Sequence, residues 1–257
     1  MRAGIQTRLG RLLPHGPVDV LVQVALMWAT YMAYRVVRGW IDDPQGAAAA
    51  FQNARAIIDI ERSLGIFVEP HLQRLIGPTG IAADAASWIY LNAQVTVTLG
   101  AFAYLYLRHN HSFYFVRNMF IVSWLIALVG YALLPTAPPR FFPEWGFVDS
   151  VADFTGVQPD SLAATALFNP YAAVPSMHVA FAMMIGVPLA MLTKHRVVRR
   201  FWACYPVLVS LVIVVTGNHF IIDAVLGALT ALAAASAAVW LARAHPAWGF
   251  RSELARA

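Results

Sequence analysis

The sequence predicts an all-α, polytopic integral membrane protein: six transmembrane helices, with an amphipathic helix on the outer face between spans 1 and 2. Three observations predict it. Of the 257 residues, 60% are hydrophobic and only 12% charged, far from the balance of a soluble domain. The apolar residues are gathered in runs, and at 1.5 Å rise per residue about 20 of them cross a hydrocarbon core roughly 30 Å thick. The basic residues alternate between successive connectors, as orientation in a membrane requires. The net charge of +5 is spread over those connectors, so membrane orientation explains it better than nucleic-acid binding. The single cysteine, Cys204, excludes an intrachain disulfide and any cysteine-based metal cluster or redox pair.

The chain reads as one membrane domain over 1–257, with spans at about 18–37, 82–107, 119–134, 174–192, 201–216 and 219–241. No small-residue cleavage site precedes the first run, so the amino-terminal segment is not read as a cleaved signal. Between spans 1 and 2, Asp43-Pro44 reads as an N-cap followed by proline at the first helical position, and Phe51, Ala54, Ile57, Ile58 and Leu64 recur at helical spacing. An interfacial helix over about 44–64 follows, ended by Gly65, with Arg55, Asp59, Glu61 and Arg62 in the headgroup layer. A second, over about 70–76, stops at Gly77-Pro78. The pair reads as a structural cover over the bundle before it reads as a lid or lipid-entry wall. No internal repeat is evident.

Lys and Arg concentrate in loops that stay in the cytoplasm. One set of connectors holds Arg2, Arg8, Arg11, Arg108, Arg117, Lys194, Arg196, Arg199, Arg200, Arg243, Arg251 and Arg256, which is 12 of the 18 basic residues. The opposite set holds Arg35, Arg38, Arg55, Arg62, Arg74 and Arg140, among acids that include Glu61, Glu69 and Asp149. Both termini are therefore expected in the cytoplasm. An odd number of spans would spoil this alternation.

Three short motifs fall on the outer side of this topology: PTAPPRF (135–141), VPSMH (174–178) and GNHFIID (217–223). Each places a polar or ionisable residue at one membrane depth, where desolvation makes such residues costly. His219 and Asp223 are four apart, on one face if helical, so the carboxylate can hold the imidazole and leave its other nitrogen as nucleophile or base. The bland reading is an ordinary intrahelical bond. Pro175 suits the first turn of a helix and Ser176 a cap, which sets free N–H groups and the positive helix end beside His178. A phosphate there would meet N–H donors and the Ser176 hydroxyl, with His178 as general acid and base. Alone, that motif also reads as a helix start with an interfacial histidine. Arg140, on a backbone restricted by three prolines, matches phosphate oxygens bidentately, or else snorkels.

In the order Arg, Pro-Ser-x-His, His-x-x-x-Asp, the motifs resemble those of the type 2 phosphatidic acid phosphatase superfamily of membrane phosphatases and phosphotransferases, over about residues 135–229. The resemblance implies that His219 attacks phosphorus and becomes a phosphohistidine, that Asp223 assists it, that His178 protonates the leaving group, and that Arg140 holds phosphate. This chain departs from the common pattern: Met177 replaces a glycine, Leu133 stands where the family has lysine, and SLVIVVTGNH (210–219) lacks an arginine. The bulky Met177, the Pro138-Pro139 pair of the first motif and the arginine-free third motif resemble the inositol phosphorylceramide synthase-like, or inositolphosphotransferase, branch, which transfers a phosphodiester head group to an alcohol. With two phosphate cations missing, the site suits a singly charged diester better than a monoester dianion, unless Arg35, Arg38 or Arg62 supplies charge.

The expected function is therefore a membrane lipid phosphotransferase working through a phosphohistidine. Its expected partners are a phospholipid or polyprenyl phosphate and a lipid or sugar alcohol, in a bacterial plasma membrane with the site facing the periplasm or exterior. The alternatives are a lipid phosphate monoester or diphosphate phosphatase and, from a different class, a transporter. No cofactor is implied, and no metal, since no ligand-spaced cluster of carboxylates or histidines adjoins the motifs. Asn218, Asn169, Tyr171 and His71 are candidate contacts around the substrate. His109 and His111 belong to the opposite connector and read as surface residues.

Overall fold

Long apolar runs punctuated by Gly, Pro and short charged connectors fold as antiparallel helices, and the computed structural model shows them for residues 13–41, 46–77, 79–157 and 171–245. The order is α1 (Gly16–Ile41), α2 (Gly46–Ser63), α3 (Glu69–Ile76), α4 (Ile81–Arg108), α5 (Asn110–Leu133), short 3₁₀ turns at Pro139–Phe141 and Pro143–Trp145, α6 (Ser150–Thr155), α7 (Met177–Leu192), α8 (Arg196–Val215) and α9 (Ile221–Ala244). Among the described residues the one β contact is an isolated bridge between Thr136 and Ala172. Asp43-Pro44, Asn169, Asp160 and the terminal arginines at 2, 8, 11, 251 and 256 lie outside the described residues.

Helices occupy all six predicted segments, and four of them, α1, α5, α8 and α9, are long and apolar enough to cross a membrane. The other two differ for physical reasons. Helix α7 is apolar but has only 16 residues, and α4 has 28 but carries Asn92, Gln94, Thr96 and Thr98 through its middle. Helix α7 begins at Met177 rather than near residue 174, and α9 at Ile221 rather than at His219. The connector between α4 and α5 is a single residue, His109. Arg117, read as a loop cation, is instead buried within α5, donating to Gln23 of α1 and to Asn118. It therefore drops out of the orientation count.

The main core joins Phe120, Trp124 and Ala127 of α5, Ala180, Met184 and Ile185 of α7, and Ala231, Ala234 and Ala238 of α9. Small residues on α9 let it approach closely. A Cβ on Gly227 would strike the Ser176 carbonyl oxygen, and one on Gly130 of α5 would lie 2.5 Å from Pro175 Cδ. The start of α7 is thus wedged between two helices. At the opposite end of the bundle, Asp19 of α1 accepts from the hydroxyls of Tyr106 (2.7 Å) and Tyr114 (2.9 Å), tying α1 to α4 and α5.

Helix α2 corrects its prediction in register. Ala50, Ala54, Ile57, Ile58 and Glu61 form its buried stripe, whereas Leu64 is exposed because the helix stops at Ser63 and Gly65 turns at φ +71°. Arg55, Asp59 and Arg62 are exposed, but Glu61 is fully buried and not in a headgroup layer. The stripe packs on Ala137, Phe142, Phe147, Val174 and Phe220, residues within or beside the three motifs.

Gly227→Ala is expected to cost about 1–3 kcal/mol by overpacking, lowering the Tm in detergent by roughly 3–10 °C. An unchanged Tm would show that α9 and the start of α7 do not approach this closely.

Candidate active site

Backbone hydrogen bonds stitch the three motifs together before any side chain is considered. The Arg140 N–H donates to the Gly217 carbonyl (2.8 Å), joining the first motif to the third. The Ser176 N–H donates to the Asp223 carbonyl (3.1 Å), joining the second to the third. Thr136 N–H donates to the Tyr171 carbonyl (2.8 Å), and Asn53 of α2 donates to the Pro135 carbonyl (2.8 Å). Gly217 is required where it stands: its φ is +71°, and a Cβ would lie 2.6 Å from the Val148 carbonyl oxygen.

Helix α8 ends at Val215, and the N–H groups of Asn218 and His219 both return to the Ile213 carbonyl at 3.1 Å. His219 therefore sits in the turn before α9, with Phe220 as the N-cap. The pairing with Asp223 is real but is not the helix-face pair expected from spacing. Asp223, third in the helix, folds back over its own N-terminus, accepting from the Phe220 N–H (3.0 Å) and meeting His219 Nδ1 at 3.2 Å. Asp223 is fully buried and His219 is 6% exposed. With Nδ1–H donated to the carboxylate, Nε2 carries the lone pair.

Ser176 is the N-cap of α7, but Pro175 lies outside the helix, joined to Val174 by a cis peptide bond, and not in its first turn. The Ser176 hydroxyl is fully buried and has no hydrogen-bond partner among the described residues. The His178 ring stacks on Tyr90 of α4, with centroids 4.3 Å apart and planes at 21°. Its centroid lies 5.8 Å from that of His219. Met177 turns the other way, buried in the main core, so the bulk that replaces glycine in this motif does not line the site.

Arg140 is held on three sides. Its Nη1 donates to Asn218 Oδ1, its Nε lies 3.2 Å from Asp149 Oδ2, and its guanidinium lies 5.0 Å from the Phe141 ring centroid. Tyr171 stands in the same aromatic wall, 6.4 Å from Phe141 and 6.3 Å from Phe51. His71 is exposed on α3 and takes no part. Of the arginines considered as extra cations, Arg62 stacks on Phe67 (5.0 Å) and Trp145 (5.2 Å), whereas Arg38 lies 5.5 Å from the Tyr131 ring centroid and within electrostatic reach of both His178 and His219. Among the described residues, no three His, Cys, Asp or Glu side chains are grouped to hold a metal.

Several residues that shape the site carry no motif. Gln73 of α3, buried, donates to the carbonyls of Val148 (2.7 Å) and Val215 (3.2 Å) and accepts from the Val148 N–H (3.0 Å), locking the segment that follows the first motif to the end of α8. Glu61 Oε1 accepts from the Ile222 N–H (2.8 Å), and Glu69 Oε1 from the Ile221 N–H (3.0 Å). Burial, with Glu69 beside it, pushes the Glu61 carboxyl up to about 9. The available signal for Glu61 was its register: a charge at the i+3 and i+4 position of an otherwise apolar stripe.

No curated protein and no solved structure matches the chain. A family model of the PAP2 superfamily matches residues 55–237, from the middle of α2 almost to the end of α9, and all three motifs lie within it. The chain belongs to the PAP2 superfamily, whose members are lipid phosphatases and phosphotransferases.

Proposed function

We propose that the protein is a metal-independent membrane phosphotransferase that moves an inositol-phosphate-like head group from a lipid to an alcohol. The observation that supports this best is the meeting of two imidazoles, centroids 5.8 Å apart, one braced by a buried carboxylate and both within electrostatic reach of Arg38. His219 Nε2 attacks phosphorus; the bond to the leaving alkoxide breaks, and protonated His178 supplies its proton. His178, now neutral, takes the proton of the acceptor hydroxyl, whose oxygen attacks phosphorus and releases His219. Water as acceptor makes the same site a phosphatase of lipid phosphates.

The phosphate sits at the start of α7, where the buried Ser176 hydroxyl is unsatisfied among the described residues and first-turn N–H groups offer a dipole end. Arg140 holds it from one side, oriented by Asn218 and Asp149. Arg38 is the second cation, standing in for the charges absent at Leu133 and before His219. Six helices span the membrane, α4 and α7 among them, with both termini in the cytoplasm. The site opens outward under α2 and α3.

Intact-protein mass spectrometry after incubation with vesicles of total membrane lipids and an alkaline quench is expected to show an adduct that His219→Ala lacks. An adduct mass of a bare phosphoryl group would replace head-group transfer by the phosphatase reading; no adduct and no altered lipid would sink both. Orthovanadate, a phosphate mimic, is expected to bind Arg38→Ala about tenfold more weakly, the loss of one charge-assisted contact, with Arg62→Ala close to wild type. In a Cys204→Ser background, Glu144→Cys should react with an impermeant thiol reagent from the outside and His195→Cys only from the inside. The reverse pattern would invert the orientation.

A further inference from the structure

We propose that Glu61 and Glu69 are positioning residues for the nucleophile: two carboxyl groups sharing one proton, they grip the first turn of α9 and so hold His219 against Asp223. The proposal rests on reading His219 as the nucleophile. Three consecutive N–H groups at the start of α9 go to three different carboxyls, Phe220 to Asp223 (3.0 Å), Ile221 to Glu69 (3.0 Å) and Ile222 to Glu61 (2.8 Å). All three acids are fully buried. Two of them reach in from helices more than 140 positions earlier in the chain.

Each carboxyl leaves one oxygen, Glu61 Oε2, Glu69 Oε2 and Asp223 Oδ1, without a hydrogen-bond partner among the described residues. The ionisable groups facing Glu61 are Glu69 from α3 and Asp223 from α9, both acids. Three buried negative charges side by side would each carry a desolvation penalty of several kcal/mol. A proton held between Glu61 and Glu69 removes one of those charges and satisfies two oxygens in a single hydrogen bond. Asp223 then remains the carboxylate that His219 needs.

The arrangement also assigns different tasks to the two helix starts in the site. The positive end of α9 is filled by the protein's own acids, so it offers no seat to a phosphate. The start of α7, where Ser176 makes no cap hydrogen bond, is open. Filling one dipole end directs the anion to the other, beside His178.

Glu61→Gln reproduces the protonated pair without a titrating proton, since its amide can accept from Ile222 and donate to Glu69. Infrared spectra of the detergent-solubilised protein should show the C=O band of a buried protonated carboxyl that fades as pH rises through about 9 and is missing in Glu61→Gln. Because the folded-state group binds its proton more tightly than the unfolded chain does, its contribution to stability falls as pH rises from about 4.5 to about 9. The Tm of Glu61→Gln should be flatter across that window. On the lipid vesicles above, Glu61→Gln should form the adduct within about threefold of the wild-type rate, and Glu61→Leu about 100-fold more slowly at an unchanged half-saturating lipid concentration. A band that persists in Glu61→Gln, or a Gln variant as slow as Leu, overturns the shared proton. If the band behaves as expected but wild type forms no adduct, the nucleophile reading fails and the carboxyl pair stands.

Discussion

The first N–H groups of any α-helix have no carbonyl one turn earlier to accept them, and inside an apolar bundle no bulk water takes that place. At the start of α9 this constraint governs much of the surrounding structure. Its first amides are taken by Asp223, by Glu69 and by Glu61, and the last two must be carried there by separate helices. That explains why the segment between the first two long helices folds inward. Helix α2 presents Ala50, Ala54, Ile57 and Ile58 to the motif residues, and Glu61 continues that stripe down to the amide it serves. Helix α3 adds Gln73, which ties the segment after the first motif to the end of α8. The two short helices act as a buried brace beneath which three distant motifs are held in register, a role closer to a structural cover than to a swinging lid.

The electrostatics follow from the same packing. Negative groups gather behind His219, and the cations Arg140 and Arg38 stand within electrostatic reach of its ring. The His219 imidazole thus feels negative charge from the buried carboxylate at its Nδ1 and positive charge from the two guanidiniums. Asn218 and Asp149 matter because they aim Arg140, whose charge would otherwise be free to turn toward water. Met177, lodged in the core, leaves the start of α7 to be shaped by backbone and by Ser176.

Much of the fold is written in the sequence because hydrophobic period and length are local properties: helices fall at all six predicted apolar runs, four of them long and apolar enough to cross a membrane. The motifs were legible for a similar reason, since His219 and Asp223, or Ser176 and His178, are near neighbours in the chain. What was not legible depends on pairs far apart. Nothing near Glu61 announces Ile222, and an acid at a stripe position of an amphipathic helix reads as a headgroup contact until its partner is seen. Arg117 misled in the opposite sense: the helix break falls at His109, so a cation that looks like part of a loop is buried against Gln23. The helices at the second and third motifs start two or three residues later than their spacing predicts, because Ser176 and Phe220 are the caps.

The stack of Tyr90 on His178 constrains how the proposed reaction can be ordered in time. A ring lying nearly parallel to its neighbour at 4.3 Å can slide in its plane but cannot flip without breaking the contact. The His178 ring is therefore kept in one orientation beside His219. Under the proposed mechanism, the departing alcohol and the arriving one exchange protons with that same ring in turn, so the first product leaves before the second substrate enters, and the covalent enzyme is the waiting state between them. Such an enzyme is a relay with one gate, and its fidelity depends on how well the gate keeps water out while the acceptor is awaited.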